Sequence, residues 1–179
     1  AMLTRSPLAI VSRANINDAN LTNLMEASSE KSNKLSLGET SSSLERAFRL
    51  QLENALGVSF EVTNYKNARQ SFMALLAQKV DLGLVSLSGA KRRADLRQVK
   101  VLAVTDTLGD TRLSDIATLK EQGVNTAFGV DRILVAPQET SAEIVAKTSK
   151  RFKKASKDPE LKEVLSKLYT KILFKDPDE

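Results

Sequence analysis

A chain of 179 residues, 41% of them hydrophobic, suits one ordinary globular domain or two small lobes with a real core. It contains no cysteine and no histidine, which excludes disulfides, thiolate or imidazole metal sites, histidine triads and histidine general bases. A net charge of +5 admits anionic partners, although a solvated basic face is the favoured account of it, and no apolar run is long enough to span a membrane.

Pro7 to Ser12 reads as a short strand with Pro7 at its first position and Leu8, Ile10 and Val11 apolar. Asn17 or Asp18 then caps a helix that places Leu21, Leu24 and Met25 on one face. Lys34 to Leu37 is the next strand. The loop Gly38-Glu39-Thr40-Ser41-Ser42 leads from it into a helix over Ser43 to Leu56, with Leu44, Phe48, Leu52, Ala55 and Leu56 inward and Glu45 set to pair with Arg49. Gly57 stops that helix.

The alternation continues with a strand at Phe60 and Val62, a helix over Ala68 to Gln78 and a strand over Val80 to Val85. A short charged helix, Lys91 to Arg97, precedes a strand over Val99 to Thr105. Val130 to Ala136 returns as a strand, helices follow over Ser141 to Ser156 and Pro159 to Leu168, and Lys171 to Phe174 closes the chain. Apolar strands alternating with amphipathic helices predict a mostly parallel α/β sheet covered on both faces.

Six segments in this order carry a resemblance. They are Tyr65-Lys66-Asn67, Val80-Asp81, Leu102-Ala103-Val104-Thr105, Arg112, Ala117-Thr118-Leu119-Lys120-Glu121-Gln122-Gly123 and Ala136-Pro137. Together the chain resembles the substrate-binding receptors of tripartite tricarboxylate transporters, the Bug family of bacterial periplasmic proteins. The resemblance implies a type II periplasmic-binding-protein-like α/β fold, with one nearly complete lobe plus the returning part of an incomplete second lobe. Residues 12–129 would form lobe two. Residues 1–11 and 130–179 would be a crossing strand and the C-terminal part of lobe one. Nothing here matches the family's N-terminal region, so the expectation is a fragment, with any export signal upstream.

What the resemblance implies about function is a receptor that captures a small organic anion, such as a carboxylate, for membrane transporter subunits in the periplasm. The ligand-facing positions it implies are Thr40, Ser41, Ser42, Ser43, Ser86 and Asp131. The turn Thr40 to Ser43 opens a helix, where unpaired N–H groups and the helix dipole favour an anion; Glu39 would set a negative charge beside it. Plain capping by Ser41 or Ser42 is the simpler alternative. Ser86, in Val85-Ser86-Leu87-Ser88-Gly89, falls where open α/β sheets bind ligands, with turn chemistry as the alternative. Asn67 replaces the family's glycine, and capping of the following helix by Asn64 or Asn67 is the favoured reading over ligand contact. Asp131 stands where the family has an uncharged residue, and its carboxylate would oppose an anion.

No cofactor, metal or enzymatic activity is expected. Asp81, Asp106, Asp110 and Asp115 are scattered, and no catalytic motif surrounds them. The basic run Lys147, Lys150, Arg151, Lys153, Lys154 and Lys157 lacks the interleaved aromatics of a nucleic-acid reader, so no nucleic-acid partner is expected. Sheet edges left open by missing strands would favour a homo-oligomer. A second class of function, the ligand-sensing effector domain of a transcription regulator or sensor protein, uses the same kind of fold.

Overall fold

The computed structural model describes residues 1–16, 20–30, 34–106, 113 and 115–176. They form two compact units, Leu8–Phe128 and a smaller one combining Ala1–Pro7 with Gly129–Glu179. Strand β1, Met2–Arg13, begins in the smaller unit and ends in the larger. It is twice the length expected, and Pro7 lies inside it rather than at its start. Proline is tolerated there because residues 2–7 and residues 8–13 pair with different strands, so its missing N–H falls at the change of partners.

The larger unit has strand order β3-β2-β4-β1-β5, with β2 at Ser36–Thr40, β3 at Glu61–Tyr65, β4 at Leu82–Ser86 and β5 at Val99–Val104. The β2–β3 and β2–β4 pairs are parallel, but β1 runs antiparallel to both β4 and β5. The sheet is therefore mixed, not mostly parallel. No βαβ crossover delivers β1, so nothing forces it into the parallel direction. Its central place explains why Ala9, Ile10, Val11 and Ser12 are all buried, where a half-exposed strand would alternate.

Helices α1 (Leu21–Glu30), α2 (Ser43–Leu56), α3 (Ala68–Leu76) and α4 (Leu87–Asp95) complete this unit. The expected caps Asn17 and Asp18 lie outside the described residues; Asn20 Oδ1 accepts from the Asn23 N–H at 2.9 Å. In α2 only Phe48 and Leu52 are fully buried, while Leu44 and Ala55 face outward. Glu45, Arg49 and Glu53 share the inward side with them and take the room expected for leucine and alanine. Gly57, at φ 67°, ends the helix in the left-handed region. Helix α3 stops short of Gln78 because that residue turns left-handed at φ 57°, and the Lys79 N–H closes back on Ala74 O. Helix α4 starts earlier than expected, at Leu87, because Ser86 caps it and Leu87 and Ala90 are buried.

Among the described residues, every buried apolar side chain except Pro7 lies in this larger unit, from Ala9 to Phe128. The Phe48 and Phe128 rings stack with centroids 4.7 Å apart. Thr105, fully buried, holds the two ends of the unit together. Its Oγ1 accepts from the Leu8 N–H at 2.9 Å and donates to Phe128 O at 2.7 Å. Its main chain donates to Leu8 O at 3.0 Å and accepts from the Phe128 N–H at 2.9 Å.

In the smaller unit the first half of β1 lies between β6 (Gly129–Ile133) and β7 (Lys171–Lys175), antiparallel to both. Helices α5 (Ala142–Ala155) and α6 (Pro159–Lys167) accompany them, capped by Ser141 and Asp158. Strand β6 ends at Ile133, three residues before Ala136, where pairing with Met2 runs out.

Two substitutions test this account by denaturant unfolding. Thr105→Val keeps the shape but leaves buried backbone groups of Leu8 and Phe128 unpaired, so stability should fall by about 1–3 kcal/mol, while Thr105→Ser stays close to the native value. Gly38→Ala should cost about 1–3 kcal/mol, because a Cβ there would lie 2.8 Å from Ser71 Oγ and 3.2 Å from Val80 Cγ2.

Candidate functional site

Within the larger unit, β2, β3 and β4 end side by side, with Thr40 registered on Tyr65 and Gly38 on Gly83. A helix starts within three residues of each strand end: α2 after Ser42, α3 after Asn67 and α4 after Ser86. Three helix N-termini thus gather at the C-terminal edge of the parallel strands, the edge where open α/β sheets hold ligands. Thr40, Ser41, Ser42, Ser43 and Ser86 all lie on that edge. Asp131 does not. It sits on β6 in the smaller unit, where Arg5 Nε and Nη2 donate to its two oxygens at 2.8 and 3.2 Å.

The edge differs in detail from the expectation. Gly38, Glu39 and Thr40 belong to β2, so the connecting turn is only Ser41 and Ser42. Ser42 is the N-cap of α2, yet its side chain makes no capping hydrogen bond. Glu45 instead reaches back to Thr40, the last residue of β2. Its Oε2 accepts from the Thr40 N–H at 2.8 Å and from Thr40 Oγ1 at 2.7 Å. Both donors of Thr40 are thereby taken by a carboxylate of the chain itself. Residues Ser41, Ser42 and Ser43 remain exposed. The spacing Ser42-Ser43-Leu44-Glu45 is a capping-box pattern, but its reciprocal bonds do not form: Glu45 bonds Thr40, and the Ser42 N–H donates to Thr40 Oγ1 at 3.4 Å.

Glu39 does not face the turn as a free charge. It is buried and accepts from Arg49 Nε at 2.6 Å, and Arg49 Nη1 donates to Glu53 at 2.6 Å. Glu53 in turn accepts from the Phe60 N–H at 2.9 Å. Burial of Arg49 works against its charge, but the hydrogen bonds and attraction of Glu39 and Glu53 outweigh it and raise its pKa. Arg49 therefore pairs with Glu39 and Glu53, not with Glu45.

At the neighbouring turns Asn67 Oδ1 accepts from the Gln70 N–H at 3.0 Å and Ser86 Oγ from the Gly89 N–H at 3.3 Å. Other segments of the resemblance are structural. Asp81 Oδ2 accepts from the Ser36 N–H and Oγ at 3.0 and 2.7 Å, at the opposite ends of β2 and β4, and Arg13 pairs with its Oδ1 at 3.2 Å. Gln122 donates to Leu102 O at 2.8 Å and accepts from the Leu21 N–H at 2.9 Å. The backbone N–H of Thr118, and then its hydroxyl, hold the Glu121 carboxyl below the ordinary carboxylate range. Arg112 lies outside the described residues, as does Asp110. Among the described residues no cluster of acidic side chains could hold a metal ion, and no helix is long and apolar enough to cross a membrane.

A model of the tripartite tricarboxylate transporter family receptor matches residues 1–176. A UPF0065 protein of Bordetella pertussis is 25% identical over 167 residues, covering 92% of this chain and 52% of that protein. The periplasmic binding protein BugD is 25% identical with a TM-score of 0.76, covering 98% of this chain and 59% of BugD. MatC from Rhodopseudomonas palustris, solved with bound malate, shares the fold at 21% identity and a TM-score of 0.77, covering 99% and 60%. The chain thus spans between half and three-fifths of the length of these relatives.

The Glu45–Thr40 contact predicts an inverted mutational pattern at the start of α2. Ser42→Ala should change stability by only a few tenths of a kcal/mol, whereas Glu45→Ala and Thr40→Val should each cost about 1–2 kcal/mol in thermal or denaturant unfolding.

Proposed function

Because the chain belongs to the tripartite tricarboxylate transporter receptor family, we propose that it binds a small organic anion and serves a membrane transporter in the periplasm, with no catalytic step. The observation that carries this reading is the gathering of the α2, α3 and α4 N-termini at one sheet edge in the larger unit. Carboxylate is the favoured ligand chemistry, since the N–H groups at those starts carry partial positive charge and the edge offers the hydroxyls of Ser41, Ser42, Ser43 and Ser86. Malate in MatC sits in a protein of the same fold. In the receptor's terms, residues 12–129 act as lobe two and the remainder as part of lobe one. Nothing in the fold or the family match favours the effector-domain alternative.

Glu45 sets the affinity. A ligand carboxylate approaching Thr40 meets a negative charge already bonded there, a repulsion of about 1–3 kcal/mol at roughly 5 Å in a partly solvated setting. Two charge-assisted hydrogen bonds from the serine turn contribute about 1.5–3 kcal/mol each, and immobilising the ligand offsets much of that. Asp131, neutralised by Arg5, is assigned no contact with the anion in this balance.

Titration with malate followed by amide NMR and calorimetry tests the proposal. The expected dissociation constant is about millimolar, weakening with added salt, with shifts at Ser41 to Ser43 and Ser86. Glu45→Gln should tighten it several-fold. Shifts confined to the lysines of α5, or an unchanged affinity in Glu45→Gln, would overturn the assignment of the site.

A further inference from the structure

Helix α5 carries its charges differently from α2 and α6. In those helices an opposite charge stands at i, i+4: Arg49 pairs with Glu53 and Lys167 with Glu163, each at 2.6 Å. From Ile144 to Lys157, by contrast, the sequence holds six cations and no acidic residue. Lys153 leaves this group, donating to Asp176 at 3.1 Å and lying 5.8 Å from the centre of the Phe174 ring. Lys147, Lys150, Arg151, Lys154 and Lys157 are exposed, and among the described residues none of them has an ion-pair partner. Removing these five from the 27 lysines and arginines leaves as many cations as the 22 acidic residues, so they equal the whole net charge of +5. Lys147, Lys150, Arg151 and Lys154 fall at i, i+3, i+4 and i+7, on the side of α5 opposite the buried Ser149 and the half-buried Val145 and Phe152. Like charges at i, i+4, as in Lys147 with Arg151 and Lys150 with Lys154, destabilise a helix. No described carboxylate offsets that repulsion.

We propose that this side of α5 is a docking strip for an acidic protein surface, a helix that presents carboxylates at the same i, i+3, i+4, i+7 spacing. The strip runs about 10 Å along the axis, so a partner helix lying against it sets four carboxylates on four cations. Complementary charge of this kind steers encounter and fixes register. It also relieves the repulsion within α5. Other polyanions fit less well. A nucleic acid needs aromatic faces on which bases stack, and the one aromatic of α5, Phe152, lines the apolar groove between α5, α6 and β7. A membrane grips a basic helix through an apolar side sunk into the lipid. That side of α5 packs within the unit, and Ile144, 58% exposed, is the one large apolar side chain the helix leaves outside. The assignment concerns the smaller unit alone and does not depend on carboxylate capture at the sheet edge.

Fluorescence anisotropy on the full chain at physiological salt, where screening reaches about 8 Å, tests it. The probe is a labelled alanine-rich helical peptide with four glutamates at the stated spacing, and the control peptide has the same composition with the glutamates dispersed around the helix. The spaced peptide should bind at least tenfold more tightly than the dispersed one. Combining Lys147→Gln, Arg151→Gln and Lys154→Gln should weaken its binding at least tenfold. The melting temperature of that variant should not fall, because repulsion within α5 is reduced. Combining Lys79→Gln, Arg92→Gln and Lys120→Gln makes the same change in net charge at exposed positions of the larger unit and should weaken binding less than twofold. Equal affinity for the two peptides, or equal loss in the two triple variants, would reduce the effect to net charge and overturn the proposal. Tighter binding to vesicles containing phosphatidylserine, or to duplex RNA, than to the spaced peptide would overturn it in favour of a lipid or nucleic-acid face.

Discussion

The hydroxyl of Thr105 and its own peptide group tie Leu8 to Phe128, the residues at which the chain enters and leaves the larger unit. Everything else in that unit depends on this closure. A strand that arrives from elsewhere can take the centre of a sheet only if its first residue is anchored, and Leu8 is anchored on both its N–H and its C=O. Once β1 is held, Ala9, Ile10 and Val11 are buried on both faces, and the β4 and β5 ladders form on either side. A fully buried hydroxyl is costly unless paired; here its donor and acceptor capacities are both used, so the cost becomes a source of registry.

A second polar assembly fixes α2 against β2. Glu39, Arg49 and Glu53 form a nearly buried chain of charges that ends on the Phe60 N–H. An isolated charge in that position would be strongly destabilising, but an arginine flanked by two carboxylates and hydrogen-bonded to both is compensated. The same helix spends its remaining acidic residue, Glu45, on Thr40. The turn into α2 is thus partly satisfied from within the chain. Both donors of Thr40 are taken by Glu45, while Ser41, Ser42 and Ser43 stay exposed.

The two units are stabilised very unequally. The larger one buries a contiguous set of apolar side chains from both halves of its sequence. The smaller one has well-capped helices and correct antiparallel pairing, yet among its described residues only Pro7 and Ser149 are buried. Local order there rests on caps such as Asp158 and on surface pairs such as Lys153 with Asp176, at 3.1 Å, interactions worth little when exposed. Hydrophobic burial is roughly proportional to the area removed from water, so a unit with an open groove has the weaker driving force.

By itself the sequence determined the family, the alternation of strands and helices, and several of the helix ends, because caps, periodicity and left-handed glycine stops are local chemistry. Ser141, Asp158 and Gly57 could be assigned from neighbours within four residues. The motif segments were legible in order, but their roles were not: Asp81, Thr105 and Gln122 act through partners 45, 97 and 101 residues away. The direction of β1, the pairing of Arg49 with Glu39 in place of Glu45, and the capture of Asp131 by Arg5 were likewise decided only in three dimensions. Each depends on which of several chemically equivalent partners the folded chain brings within hydrogen-bonding distance, and spacing along a sequence carries no information about that choice.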